Sequence, residues 1–252
     1  MLLLTVGIAV VAFDVPTYPW LRSLPGEYRS AFRAFTDLGK SDWILGTTGA
    51  VCLILLMLDA GRLAFRLRMA IGAVFTYAAF VFYVVSATGL LAIAFKWTLG
   101  RARPKLYEVV GPVRFDFLAF DGTYTSFPSG HSTTVAALAT ALAFIFPAYR
   151  WLIVVGAFWL AFSRVMVGAH YPSDVIAGTL LGMTFTFFTV RAMARRRIGF
   201  HLSAAGKIQP NMNALSAKAC VRTIWQVARG QRGTGRVLLD AQDFEKTERT
   251  NS

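Results

Sequence analysis

Three short stretches of the 252-residue sequence place ionisable side chains at the ends of apolar segments. KWTLGRARP covers residues 96–104, SFPSGHS covers residues 126–132, and SRVMVGAHYPSD covers residues 163–174. Their most informative ionisable residues are Lys96, Arg103, His131, Arg164, His170 and Asp174. Fixed cations stabilise the negative charge that spreads over the oxygens of a phosphoryl group during its transfer. If the three stretches converge, their residue types predict phosphoryl-transfer chemistry.

The third stretch contains a histidine and an aspartate four residues apart, His170 and Asp174. A carboxylate in the first turn of the next helix can accept a hydrogen bond from the imidazole, which fixes the tautomer and leaves the other ring nitrogen free as a nucleophile. Asp174 can act as a simple helix N-cap at the same time. A second histidine near the first, His131, can protonate the departing oxygen.

The second stretch predicts a helix start, because Pro128 precedes two serines that can act as N-cap, Ser129 and Ser132. The unpaired N–H groups and the positive dipole end of a helix start bind anions, and Gly130 lets an oxyanion approach the backbone closely. A helix start that binds no ligand is the plainer interpretation of this stretch.

The basic residues of the first and third stretches differ in whether an ordinary position at the membrane surface accounts for them. Arg164 follows thirteen uncharged residues, and its burial in lipid would cost at least ~2.5 kcal/mol, so we expect it to face an interior polar site. Lys96 and Arg103, together with Arg101 and Lys105, can also be ordinary flanking cations that reach toward the membrane surface.

The composition indicates that these stretches belong to an integral membrane protein. Apolar residues make up 56% of the chain and charged residues only 15%. Long uncharged runs predict an all-α bundle with about six transmembrane helices, at residues 1–13, 43–58, 70–95, 132–146, 151–163 and 175–190. With six spans, the three stretches fall on one side of the membrane, whatever the orientation.

The other segments complete the predicted organisation. Residues 1–13 lack a basic n-region and end in a poor cleavage site, which favours a retained helix over a signal peptide. Residues 14–42 are expected to lie along the membrane interface as an amphipathic stretch or to form a packed surface loop. We divide the chain into a transmembrane domain at 1–198, with its catalytic core at 96–174, and a basic polar tail at 199–252 that is cytoplasmic and partly disordered. The net charge of +13 predicts lipid headgroups and phosphates as partners rather than nucleic acid.

The three stretches resemble the three-part signature of the type 2 phosphatidic acid phosphatase superfamily, in its membrane-bound branch. The first part is a lysine followed by six residues and Arg-Pro, and the second is Pro-Ser-Gly-His at residues 128–131. The third part comprises Ser163, Arg164, Gly168, His170 and Asp174. All three parts are present in order between residues 96 and 174.

This resemblance implies a role for each matching residue. His170 would be the nucleophile that forms a phosphohistidine, Asp174 would orient it, and His131 would be the acid toward the leaving group. The residues implied to hold the phosphate are Lys96, Arg103, Ser129, Gly130 and Arg164. The resemblance also implies a reaction without a metal ion or another cofactor, and the sequence has no H-E-x-x-H pattern or comparable ligand spacing.

The same resemblance implies a lipid phosphatase of a bacterial inner membrane with its active site facing the periplasm. Residues 35–45, FTDLGKSDWIL, resemble a stretch in bacterial members that include lipid A 1-phosphatases and undecaprenyl diphosphate or phosphatidylglycerophosphate phosphatases. From this stretch and the chain length we expect the lipid A 1-phosphatase kind. A lipid phosphotransferase that passes the phosphoryl group to an acceptor hydroxyl would use the same residues. A non-catalytic lipid-binding or scaffold protein on the same fold is a second alternative, although such a protein would be expected to lose a histidine or the third arginine. The sequence does not predict an oligomeric state.

Overall fold

A computed structural model describes residues 10–58 and 65–211 of the chain. Within these residues, one π-helical turn at Val10–Asp14 precedes eight α-helices and a small hairpin. In chain order, the helices are α1 (Val15–Ser23), α2 (Gly26–Thr36), α3 (Ser41–Met57), α4 (Phe65–Leu99), α5 (Tyr107–Val110), α6 (Gly130–Ile145), α7 (Arg150–Met166) and α8 (Pro172–Arg195). Strands β1 (Phe200–Leu202) and β2 (Ile208–Pro210) pair antiparallel.

The structure confirms the predicted all-α membrane fold. Four helical segments are long and apolar enough to cross a membrane, and α6 is a shorter apolar helix. The four segments are Gly26–Met57, Leu67–Leu99, Pro147–Met166 and Pro172–Arg195. Five predicted spans therefore coincide with helices α3, α4, α6, α7 and α8. The predicted span at residues 1–13 lies largely outside the described residues, so the count of six stays a prediction.

Helices α6 and α8 lie in close contact because small residues on α8 face α6. A Cβ atom on Gly178 would collide with the backbone carbonyl oxygen of Ser129, and one on Gly182 would collide with that of Thr133. These two glycines are four residues apart, the spacing that lets membrane helices pack backbone against backbone. The backbone N–H of Ser129 donates to the carbonyl oxygen of Asp174 at 3.0 Å. The start of α6 is therefore fixed against the start of α8.

The stretch at residues 14–42 is helical, and a few of its residues are buried against the bundle. It forms α1, α2 and a 3-10 turn at Asp37–Gly39. Leu21 of α1 is buried beside α7 residues, and the ring of Phe32 meets that of Phe162 edge-on at 6.4 Å between centroids. Two polar residues of this stretch, Asp14 and Thr36, are both buried.

The first residues of the predicted tail belong to the bundle. Strand β1 places Phe200 in the core, where its ring meets those of Tyr77 and Phe80 edge-on at 5.5 Å. The hydroxyl of Tyr77 donates to the carbonyl oxygen of Gly199 at 2.6 Å. The ordered part of the chain thus extends beyond residue 198, while residues 212–252 of the predicted tail lie outside the described residues.

Candidate active site

The start of α8 holds the carboxylate of Asp174 in a fully buried position. One of its oxygens, Oδ2, accepts hydrogen bonds from the hydroxyl of Ser126 at 2.6 Å and from the backbone N–H of Tyr171 at 3.0 Å. The other oxygen, Oδ1, accepts from the guanidinium of Arg101 at 2.6 Å. Because each bond comes from a different segment, Asp174 joins three parts of the chain at one point.

The imidazole of His170 is held by a different acceptor from the one that the sequence predicted. Its Nδ1 lies 2.8 Å from the carbonyl oxygen of Ser126 and 3.7 Å from Asp174 Oδ2. The shorter contact is the hydrogen bond, so Nδ1 carries the proton and donates to Ser126, while Asp174 acts through its charge. Burial lowers the pKa of His170 to about 4, although Asp174 opposes this shift. The ring is therefore neutral near pH 7, with Nε2 unprotonated as a nucleophile requires.

The start of α6 has the geometry of an anion site. Ser129 is the N-cap, and its hydroxyl oxygen accepts hydrogen bonds from the backbone N–H and the hydroxyl of Ser132 at 3.3 and 2.9 Å. The N–H groups of Gly130 and His131 follow at the first helical positions, where no carbonyl of the helix can accept from them. A Cβ atom on Gly130 would lie 4.0 Å from the ammonium nitrogen of Lys96. The free N–H groups and this ammonium thus adjoin each other.

Two of the predicted phosphate-binding cations converge on Thr125. Lys96, in the last turn of α4, donates to the carbonyl oxygen of Thr125 at 3.0 Å. Arg103 donates to the hydroxyl of the same residue at 3.1 Å, and its Nε donates to the carbonyl oxygen of Gly122 at 3.1 Å. Since Ser126 follows directly and contacts His170, both cations lie beside the predicted nucleophile.

The third predicted cation, Arg164, is linked to His131 through a threonine that the sequence analysis assigned no role. Arg164 Nη1 donates to the hydroxyl of Thr36 at 3.2 Å, and this hydroxyl lies 3.4 Å from His131 Nε2. Gly39 lies against the same imidazole, because a Cβ atom there would collide with Nε2. Thr36 and Gly39 belong to the FTDLGKSDWIL stretch, which resembles a stretch in bacterial members of the family. That resemblance was the one sequence signal for these two residues, and it did not indicate which residues of the stretch lie at the site.

The three cations share one electrostatic property. Among the described residues, no carboxylate forms an ion pair with Lys96, Arg103 or Arg164. Arg164 Nε is also buried, and no described residue accepts a hydrogen bond from it. The three side chains are partly buried, and removing a cation from water without an anionic partner is costly. These three groups therefore provide a site for a bound anion.

Arg101, by contrast, is fully buried and paired with two carboxylates. Its guanidinium donates to Asp14 at 2.7 Å and to Asp174 at 2.6 Å, and it lies over the ring of Tyr171 at 4.5 Å. Ser173 joins this cluster through hydrogen bonds to both Asp14 and Arg101. From its sequence position Arg101 could be a flanking cation, and the structure corrects this interpretation. A buried charge pair between residues 87 apart has no local sequence signal.

The structure thus brings all eight predicted site residues to one end of the bundle, where α4 and α7 end and α6 and α8 begin. His131 interacts electrostatically with both Arg164 and His170, and His170 interacts with Lys96 and Arg164. Ser129 lies in the same cluster, with its hydroxyl oxygen and backbone N–H committed to internal hydrogen bonds. The cluster thus combines a neutral imidazole with three cations, a set of groups that can bind an anion and attack it.

Comparisons with known proteins identify the family of this chain. The sequence profile of the PAP2 superfamily matches residues 76–198. A lipid A 1-phosphatase of Rhizobium etli is 37% identical over 209 residues, which cover 80% of this chain and 86% of that protein. An undecaprenyl-diphosphatase of Sulfolobus acidocaldarius is 36% identical over 97 residues, covering 38% of this chain and 45% of that protein.

A similar fold occurs in a crystal structure. The transmembrane PAP2 type phosphatidylglycerolphosphate phosphatase of Bacillus subtilis has a TM-score of 0.52 at 20% sequence identity, covering 77% of this chain and 94% of that one. At this identity the likeness concerns the fold alone. The long alignment with the Rhizobium protein, together with the matching profile, shows that the chain belongs to the PAP2 superfamily.

Proposed function

We propose that this protein is a metal-independent lipid phosphatase of the inner membrane and that its substrate is lipid A carrying a 1-phosphate. The observation that carries the proposal is the group of three cations without carboxylate partners beside the neutral imidazole of His170. A bound phosphate monoester would supply both the anion that pairs with these cations and the phosphorus atom that the imidazole attacks. The choice of lipid A is supported by the Rhizobium relative, whose similarity extends over four-fifths of the chain.

In the proposed first step, the Nε2 lone pair of His170 attacks phosphorus while the bond from phosphorus to the lipid oxygen breaks. The leaving oxygen takes a proton from His131, which enters the step protonated because the bound phosphate stabilises the imidazolium. Lys96, Arg103 and Arg164 bind the three equatorial oxygens and offset their charge. The carbonyl of Ser126 and the charge of Asp174 stabilise the positive His170 ring that results.

In the second step, water attacks the phosphohistidine, and neutral His131 accepts the proton of that water. The bond from phosphorus to nitrogen breaks, its electron pair returns to His170 Nε2, and inorganic phosphate leaves. The same intermediate would serve a phosphotransferase, in which an acceptor hydroxyl replaces the water.

We further propose that the site faces the periplasm. Arg22, Arg29, Arg33 and Lys40 lie on the side of the site. Once the site cations are set aside as functional, the cations at the other ends of the helices, including Arg150, Arg191 and the run Arg195–Arg197, favour the cytoplasm by the positive-inside rule. Residue Phe120, exposed in the loop near the site, offers a position for a single introduced cysteine. In a variant whose native Cys52 and Cys220 are replaced by serine, this cysteine should react with an impermeant thiol reagent added outside spheroplasts. Labelling only after lysis would reverse the orientation.

The direct test of function is phosphate release by the purified protein in detergent with a metal chelator present. Lipid A should be hydrolysed faster than undecaprenyl diphosphate, phosphatidylglycerophosphate or phosphatidic acid, and His170→Ala should abolish release from all four. Faster release from another lipid would change the substrate but not the chemistry. Activity that survives His170→Ala, or that requires an added metal ion, would contradict the mechanism. Phosphate found on an added lipid acceptor rather than in solution would support the transferase.

A further inference from the structure

A basic cavity lies at the end of the bundle opposite to the active site. Its volume is about 980 Å³, and it is bounded by the end of α6, the start of α7, the end of α8 and the hairpin. Helix α6 has 16 residues, so its two ends are separated by about 24 Å. This distance separates the basic cavity from the anion site at Gly130, and the two sites share no lining residue.

Among the residues that the structure describes, four cations and no acidic residue line the basic cavity. They are Arg150 at the start of α7, Arg191 and Arg195 near the end of α8, and Lys207 in the hairpin. Among the described residues, none of the four forms an ion pair with a carboxylate. Four like charges around one concavity repel one another, so an anion inside it would be favourable.

The walls of the basic cavity are apolar and aromatic. The rings of Phe144 and Phe187 lie 6.2 Å apart between centroids, and Phe146, Leu202 and Ile208 extend this surface. A small soluble anion would leave such walls exposed to water. A lipid satisfies both features, because its headgroup carries the negative charge and its acyl chain covers the apolar walls.

The hairpin that closes one side of the basic cavity is fixed to the bundle. Its turn is closed by a hydrogen bond from the backbone N–H of Ser203 to the carbonyl oxygen of Lys207 at 2.9 Å, with Gly206 at a φ of +70°. Phe200 anchors the strand in the core, as described above. Lys207 is therefore presented from an element that is anchored in the core.

We propose that the basic cavity binds an anionic phospholipid, distinct from the substrate, at the membrane surface opposite to the active site. Arg150, Arg191, Arg195 and Lys207 contact its phosphate, and its acyl chain packs on Phe144 and Phe187. Two further basic residues, Arg196 and Arg197, do not line the basic cavity although they follow directly in sequence. They provide a control of equal charge.

The test measures the binding of phosphatidylglycerol and phosphatidylcholine to the full chain in neutral detergent by native mass spectrometry. Each arginine near a lipid phosphate contributes about a five-fold factor in affinity, so Arg191→Gln/Arg195→Gln should weaken phosphatidylglycerol binding by about 25-fold. Arg196→Gln/Arg197→Gln should bind within about two-fold of the unchanged protein. Phosphatidylcholine should bind weakly to all three. Both double variants should keep phosphatase activity, because they leave the active site intact.

Three results would overturn the proposal. Equal losses in the two double variants would mean that diffuse charge, rather than the basic cavity, attracts the lipid. Loss of phosphatidylglycerol binding in Arg164→Gln would place the bound lipid in the active site instead. Full displacement by millimolar glycerol phosphate, which has no acyl chain, would assign the basic cavity to a soluble anion. Unchanged thermal unfolding of each variant checks that binding, and not folding, has been altered.

Discussion

The buried cluster around Arg101 should contribute more to stability than any exposed ion pair of the protein. Replacing Arg101 by Gln removes the positive charge between Asp14 and Asp174, both of which have no exposed side-chain surface. Removing one partner of a buried pair costs about 3–5 kcal/mol, because the remaining charge is left uncompensated. Here two carboxylates lose their cation, so we expect destabilisation at the upper end of that range.

The matched control is an arginine in an exposed pair. Arg22 lies 2.9 Å from Glu108, but the two side chains are 59% and 61% exposed. Such a pair contributes about 0–1 kcal/mol, so Arg22→Gln should have little effect. Unfolding of both variants by denaturant in detergent measures the difference directly. If Arg101→Gln is destabilised no more than Arg22→Gln, the cluster does not have the energetic role that its geometry suggests.

Arg101 should also act on catalysis as a positioning residue, because it holds Asp174 without touching the phosphate site. Arg101→Lys keeps the charge but cannot donate in a planar fork to both carboxylates. We expect this variant to fold, to lose roughly ten-fold in kcat and to keep KM near that of the unchanged protein. A rise in KM with constant kcat would instead place Arg101 among the residues that bind substrate.

Three further predictions concern glycine contacts and pH. Gly39→Ala should displace the imidazole of His131 and lower kcat by at least about ten-fold, whereas Gly46→Ala, where a Cβ atom meets nothing within 4 Å, should not affect turnover measured by phosphate release. Gly178→Ala should destabilise the fold by about 1–3 kcal/mol in denaturant unfolding, again against Gly46→Ala, because its Cβ atom has no room beside α6. The pKa of His170 is lowered from 6.5 to about 4, so its contribution to stability is complete above pH 6.5 and is lost as the pH falls toward 4. His170→Ala should reduce this acid dependence in unfolding curves measured between pH 4 and 7, and an unchanged dependence would contradict the assignment.

The sequence predicted the features that depend on composition and on local spacing. Long uncharged runs predict membrane helices, and α4 at Phe65–Leu99 contains the whole predicted span at residues 70–95. The motif residues, such as Lys96 and His170, were found because their spacing is specific. Arg164 was found by a physical argument, since a lone arginine in an apolar run requires a polar partner.

The sequence did not predict the contacts between distant segments. Asp14 lies 159 residues before Ser173, and nothing near either residue indicates that they pair. Thr36 bridges Arg164 and His131 with an ordinary hydroxyl, a group that occurs too often in sequences to be informative. The acceptor for His170 is a backbone carbonyl, which every residue carries, so the choice of Ser126 over Asp174 depended on geometry alone.

The pairing of Asp14 with residues far along the chain also constrains the order of assembly. Asp14 leaves the ribosome 87 residues before Arg101 and 159 residues before Ser173. At a synthesis rate of about 5–20 residues per second, the first interval lasts roughly 4–17 s. During that time the carboxylate must remain hydrated at the bilayer surface, because its guanidinium partner has not yet been inserted. The segment around Asp14 is therefore translated well before the partners with which it docks.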